Sequence, residues 1–203
     1  MPNHIFNVIT FDCGHERAQQ ILEDLKCDGY DLGSIDFNKL IPMPDNVYKG
    51  PLGFKEREMY PGDLNWYDWS VENWGTKWNS YGFDELPHKE DAIVFNTAWS
   101  AVPKVVELMS ERYPEVSMEY SWADEDFGSN TGQVEFKNGE VLSIYMPVDQ
   151  SPEAYEFAAA IQDAAIEDFG FTKDPKTGNI RFTDEVFTSP IRDDKPKAKE
   201  SER

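Results

Sequence analysis

DAIVFNTAWSAVPKVVELMSERYPEVSMEYSW, residues 91–122, holds the plan of the fold. Residues 91–98 are rich in β-branched and aromatic side chains and read as a strand. Ser100 can cap a helix after it, on which Val102, Val105, Val106 and Met109 line one buried face at helical spacing. Pro114 ends the helix, and VSMEYSW, residues 116–122, alternates as the next strand. The stretch is a β-α-β unit.

Towards the N-terminus the same order recurs. HIFNVITF, residues 4–11, reads as a strand closed by Cys13-Gly14. Residues 15–27 place Ala18, Ile21, Leu22 and Leu25 on one helical face, and Asp28-Gly29 stops that helix. SIDFNKLI, residues 34–41, alternates apolar and polar as a second strand before Pro42 and Pro44. Two such halves joined antiparallel predict an α+β fold, a ferredoxin-like βαββαβ sandwich. The strands at 4–11 and 91–98 are expected at the centre of the sheet, with helices 15–27 and 101–112 on one face.

Towards the C-terminus, strands 132–137 and 140–146 flank Asn138-Gly139, a strong hairpin signal. Ser151 at the cap and Pro152 at the first helical position start a helix predicted to run to about Asp168. A small hairpin is expected within 169–186, around Asp174–Gly178. Residues 187–203, ending KPKAKESER, are polar and expected to be disordered. The plan is one domain over 1–186 with an insertion at about 45–88.

Within the insertion, residues 45–62 contain Gly50, Pro51, Gly53, Pro61 and Gly62 and read as loop. DLNWYDWSVENWGTKWNS, residues 63–80, opens with Asp63 as a helix cap, runs as helix to about Asn73 and breaks at Gly75. Four of the six tryptophans lie here: Trp66, Trp69, Trp74 and Trp78. As structure, they form a satellite core with their ring N–H groups bonded. As a site, they wall an aromatic pocket with Thr76, Lys77 and Asn79 as its fixed polar groups.

NWYDWSVENWGTKWNSYGFDE (residues 65–85) and FNTAWSAVPKVVELMSERYPEVSMEYSWADEDFG (residues 95–128) resemble the YubB-type, or Api-ninety-two-like, ferredoxin-like domain of bacteriophage and plasmid leading-region proteins. The WxxW…NWGTKWN pattern and the TAWS turn before a helix carry the resemblance, over roughly residues 34–148. It implies the ferredoxin-like fold and a mobile-element origin. It implies no particular activity.

The chain of 203 residues has 39 acidic and 19 basic side chains, a net charge of −20. Residues 113–172 hold 13 acids and one base, Lys137, and so account for −12 of it. A field of that sign steers cationic partners in and repels nucleic-acid phosphates. Two cysteines, Cys13 and Cys27, are too few for a four-thiolate cluster or zinc site and point to a reducing compartment. No run approaches the ~20 apolar residues of a membrane span, and export is not expected.

Catalytic chemistry finds little footing. His4, His15 and His88 fall in three segments, and no HExxH, GxSxG or glycine-rich phosphate loop is present. Cys13 with His15 as base, and Asp124, Glu125 and Asp126 with Asn130 as cation ligands, are weighed against capping and a solvated turn, which the spacings favour. No catalytic residue, metal ligand or cofactor is assigned.

On the helix beginning at Pro152, Glu153, Glu156, Asp163 and Glu167 fall within an arc of about 80°, spanning ~21 Å. Such a row resembles a line of phosphates. The reading is therefore a non-enzymatic, acidic phage or plasmid accessory protein of the host cytoplasm. It would bind a host or phage protein with a basic surface as a nucleic-acid mimic. Its candidate binding residues are Trp66, Trp69, Trp74, Thr76, Lys77, Trp78, Asn79 and those four acids. The alternatives are a nucleic-acid-binding domain stacking bases on Phe6, Phe37, Phe95 or Tyr120, and a small enzyme with its pocket at the tryptophan insertion. Membrane attachment and direct nucleic-acid binding are not expected.

Overall fold

The β-branched and aromatic run at residues 4–11 is realised as β1 (His4–Asp12), paired antiparallel on both sides in a five-stranded sheet. The computed structural model describes residues 2–183, so the polar tail expected over 187–203 lies outside the described residues. After α1 (His15–Leu25), the insertion holds α2 (Phe54–Met59) and α3 (Trp66–Trp74). There follow β2 (Ala92–Ala98), α4 (Pro103–Arg112), β3 (Ser117–Asp124), β4 (Gly132–Lys137), β5 (Glu140–Tyr145) and α5 (Pro152–Ala160). β6 (Phe171–Lys173) and β7 (Ile180–Phe182) form the small hairpin expected around Asp174–Gly178.

The sheet order is β2-β1-β3-β4-β5, antiparallel throughout. β2-α4-β3 straddles β1, as one half of a ferredoxin-like sandwich does. Ile5 and Ile9 of β1, Ile93 and Phe95 of β2 and Met118 and Tyr120 of β3 meet Ile21, Leu22 and Leu25 of α1 and Val105, Val106 and Met109 of α4 in one core. Both helices therefore lie on one face, as the periodicity predicts. Phe6, Val8 and Val94 point to the other face, where Leu86 and Ile161 cover them. β1 is thus buried on both sides from Ile5 to Ile9.

Four expectations need correction. Residues 34–41 do not form a strand, and β2 is consequently an edge strand. The Asp36 carboxylate accepts from the Asn38 N–H at 2.9 Å and caps a 3-10 turn, Phe37–Lys39, while Asn79 Oδ1 accepts from the Phe37 N–H. A short acidic side chain bonding its own backbone competes with a strand ladder. Ile35 and Phe37 still reach the core, as a plug beneath the insertion. The vacated edge of β2 is capped at separate points: the Val94 N–H donates to the Gly33 carbonyl, and Asn96 and Tyr81 exchange two backbone bonds.

Second, the loop at 45–62 contains α2, which the glycines and prolines flanking it concealed. Third, the α4 cap is Val102 and not Ser100, and the Val102 N–H donates to the Tyr120 hydroxyl at 2.7 Å. Fourth, α5 stops at Ala160. Asp163 takes a left-handed φ of 54°, and the Asp168 carboxylate accepts from the Ala165 N–H to start a 3-10 turn, Ile166–Phe169. The reversal brings Phe169 flat onto Phe127, ring centroids 4.1 Å apart, with Ala158 and Ile166 in the same cluster. Burying those rings requires a bend that a straight helix cannot make.

Candidate functional site

Asn65 starts α3, in place of the expected Asp63. Its Oδ1 accepts from the Tyr67 and Asp68 N–H groups, and its Nδ2 donates to the Tyr60 and Gly62 carbonyls. Side-chain capping of this kind satisfies amides that the first helical turn leaves unpaired. Gly75, at φ 80°, ends the helix where a side chain would be strained.

Between those ends the tryptophans divide. Trp69 and Trp74 are buried and meet edge to face, 5.2 Å between centroids, and Trp74 Nε1 donates to the Ile41 carbonyl at 3.0 Å. Half-buried Trp66 donates to the Gly50 carbonyl at 3.0 Å. These three rings fasten the insertion to the domain. Thr76 is also buried, its hydroxyl donating to the Ala98 carbonyl at 2.8 Å and accepting from the Ala98 N–H. Asn79 Nδ2 donates to the Asp36 carboxylate at 2.6 Å.

Thr76 and Asn79 anchor the chain on either side of Lys77 and Trp78, which therefore turn outward. Trp99 immediately follows Ala98, so the Thr76–Ala98 pair delivers Trp99 beside Lys77. The Lys77 ammonium lies 4.3 Å from the Trp78 ring centroid, 5.0 Å from Trp99 and 5.9 Å from Tyr67, all within cation–π range. Arg57 covers Tyr67 at 5.0 Å. Trp78 is 38% exposed and Trp99 46%, so both retain surface for a partner. Trp99 also holds a φ of 68°, unusual for a bulky residue. Trp99 lies outside the tryptophan cluster of residues 66–78 that the sequence marks. Its only local signal is its place between a strand end and a helix start in TAWS.

The four acids do not line one helix. Glu153 and Glu156 lie on α5, Asp163 in the turn after it and Glu167 in the following 3-10 turn. Glu156 pairs with Lys173, and Asp163 with Lys89 at 2.8 Å.

His15 Nδ1 lies 2.9 Å from the Asp91 carboxylate, and that hydrogen bond raises the imidazole pKa above its ordinary value. Burial pushes the Cys13 thiol up, opposed by Arg17, so it is not a ready thiolate. Asp124 accepts from Asn3 and Asn130 side chains and from the Asp126 N–H, closing its own turn. Among the described residues no group of three or more His, Cys, Asp or Glu side chains is arranged to hold a metal ion. A cavity of about 490 Å³ beside β2, walled by Tyr30, Leu32, Phe83, Leu86, His88 and Val94, occupies the side where the second strand is missing. Two loops distant in sequence build it, so no local pattern announces it.

Residues 73–165 match the family model of the ferredoxin-like domain in Api92-like protein. This is the family that the tryptophan pattern resembles. The match spans somewhat under half of the chain, from the end of α3 to beyond α5, and includes Lys77, Trp78 and Trp99. β1 and α1, which complete the sheet and the helix layer, lie outside the matched stretch. No curated protein and no solved structure matches the chain. Among the described residues no helix is long and apolar enough to cross a membrane.

Proposed function

We propose that this is a non-enzymatic accessory protein of a phage or plasmid that binds a basic host or phage protein in the host cytoplasm, with Tyr67, Trp78 and Trp99 as the contact. The observation that carries this reading is the seat those rings form around the Lys77 ammonium. A lysine or arginine of the partner, stacking on the exposed parts of Trp78 and Trp99, makes the same kind of contact. The net charge of −20 draws such a partner in from a distance. Exposed tryptophans are the side chains most often found at the energetic centre of an interface.

Two further observations support it. Phe6, Phe37, Phe95 and Tyr120, the aromatics that could have stacked bases, are all buried. The open part of the sheet sets Glu119 directly opposite Glu135, a like-charged pair that costs stability and repels phosphate. Imitation of a phosphate line is not required, since Lys173 and Lys89 neutralise two of the four acids once expected in a row.

The test is affinity capture from host lysate at rising salt, followed by titration of the captured protein against variants. Trp78→Ala with Trp99→Ala should weaken binding by about thirtyfold or more, since truncating one hot-spot ring costs ~2 kcal/mol. Capture that is salt-insensitive, or undiminished by the double substitution, refutes the reading.

A further inference from the structure

We propose that this protein forms a two-fold dimer through the open edge of β5. Every residue of β5 is exposed, yet the strand and its continuation are apolar: Val141, Leu142, Ile144, Tyr145, Met146 and Val148 range from 44% to 79% exposed. One side of β5 pairs with β4, and among the described residues no strand pairs with the other. Proteins ordinarily blunt such an edge with lysine, proline or a covering loop. No lysine or proline stands within β5, and Pro147 comes only after it.

The opposite edge of the sheet is treated differently. There Tyr81 and Gly33 occupy the outward bonding groups of Asn96 and Val94 in β2. With one edge capped and one open, antiparallel pairing of β5 with β5 of a second copy uses up the free edge of the five-stranded sheet. Such an interface is isologous and closes at two chains, with no route to a filament.

Charge identifies the occupant. From Asn138 to Val148 the single charged side chain is Glu140, which sits opposite Lys137 in the hairpin. A copy of a chain with net charge −20 can approach only where acids are sparse, and this edge is such a place. A basic partner finds no carboxylate row there. A pairing centred on Ile144 sets Ile144 against its counterpart, Ser143 against Tyr145, Leu142 against Met146 and Glu140 against Val148. Ile144 lies opposite Val134 in β4, whereas Ser143 and Tyr145 lie opposite Glu135 and Gln133, so this register matches faces across the two-fold axis. No acid meets an acid.

A strand-edge contact is at the small end of specific interfaces, so the dimer is a micromolar one. Its salt response is opposite to that of a charge-steered complex: salt screens the repulsion between two acidic bodies and strengthens it. Sedimentation velocity on the full chain, from about 1 to about 300 μM, at low and at physiological salt, tests this. The expected result is a monomer–dimer equilibrium shifted to dimer by concentration and by salt. Ile144→Lys should leave the thermal melt unchanged and abolish the dimer. Ile144→Cys should cross-link into a covalent dimer under mild oxidation where the native chain does not, because residues directly opposed in antiparallel strands lie at disulfide-compatible Cα separations. A chain that stays monomeric throughout, leaving the edge to an extended peptide of another protein, overturns the proposal. So does a dimer that survives Ile144→Lys or that Ile144→Cys fails to trap.

Discussion

The Tyr120 hydroxyl donates to Asn7 Oδ1 at 2.6 Å and so ties β3 to β1 at the centre of the sheet, with both residues fully buried. The same hydroxyl accepts from the Val102 N–H that opens α4. Asn7 Nδ2 in turn donates to Thr97 Oγ1 in β2 at 3.0 Å, and Thr97 donates to the Ser100 carbonyl. One polar chain thus spans three strands and sets the start of α4. Its burial holds the phenol protonated at any physiological pH.

Tyr120→Phe removes that hydroxyl and leaves a buried acceptor and a buried donor without partners. Each such group costs about 1–3 kcal/mol, so the domain should lose about 2–6 kcal/mol. In a chain of this size that lowers the melting temperature by roughly 4–24 °C. An unchanged melt would show that the network contributes nothing.

The tryptophans should separate by stability. Trp69→Ala and Trp74→Ala, which empty buried sites in the core, should each cost about 3–5 kcal/mol. Trp99→Gly should cost less than about 1 kcal/mol, because glycine accepts the left-handed backbone that strains the indole. Denaturant unfolding of the three variants decides it, and comparable losses in all three would place Trp99 in the framework instead of the contact surface.

His15 should titrate above the ordinary imidazole range, since the Asp91 carboxylate bonds its ring. Asp91 is held below its usual range, first by Gln19 and then by His15. The raised histidine stabilises fully below about pH 6.5 and loses its contribution as pH rises through its folded-state value. The depressed aspartate stabilises above about pH 4 and loses its contribution as pH falls through its own folded-state value. The pair is therefore at its best between those limits. A proton NMR titration of the His15 ring should show the raised value, returning to the ordinary range in Asp91→Asn; no difference between the two proteins would dismiss the pairing.

Cys27 should resist alkylation. Burial pushes its thiol up to about 11, and its S–H donates to the Ile35 carbonyl. At pH 8, iodoacetamide should modify Cys27 about tenfold or more slowly in the native chain than in the unfolded one, as read by mass spectrometry. Equal rates would mean that the plug formed by residues 34–41 is open in solution.

Local pattern by itself determined β1, α1, β2, α4, β3 and β4, because each buries side chains in the core and the spacing of Ile21, Leu22 and Leu25, or of Val105, Val106 and Met109, records the buried face. The exposed β5 was legible only through the Asn138-Gly139 turn that joins it to β4. The same kind of pattern misled at 34–41, where Ile35 and Phe37 are buried as the alternation demands but Asp36 and Asn79 take the backbone bonds that a strand would need. It misled again beyond Ala160, where the helical spacing continues and the chain instead turns so that Phe169 can reach Phe127. At the candidate site, the sequence marked Lys77 and Trp78 as part of a dense aromatic run, without separating them from the buried Trp69 and Trp74. Only the tertiary structure could join Trp99 to them, through the bond between Thr76 and Ala98. Side-chain period reports which residues face a core; which distant backbone a hydroxyl or amide will bond depends on chain segments that meet only after folding.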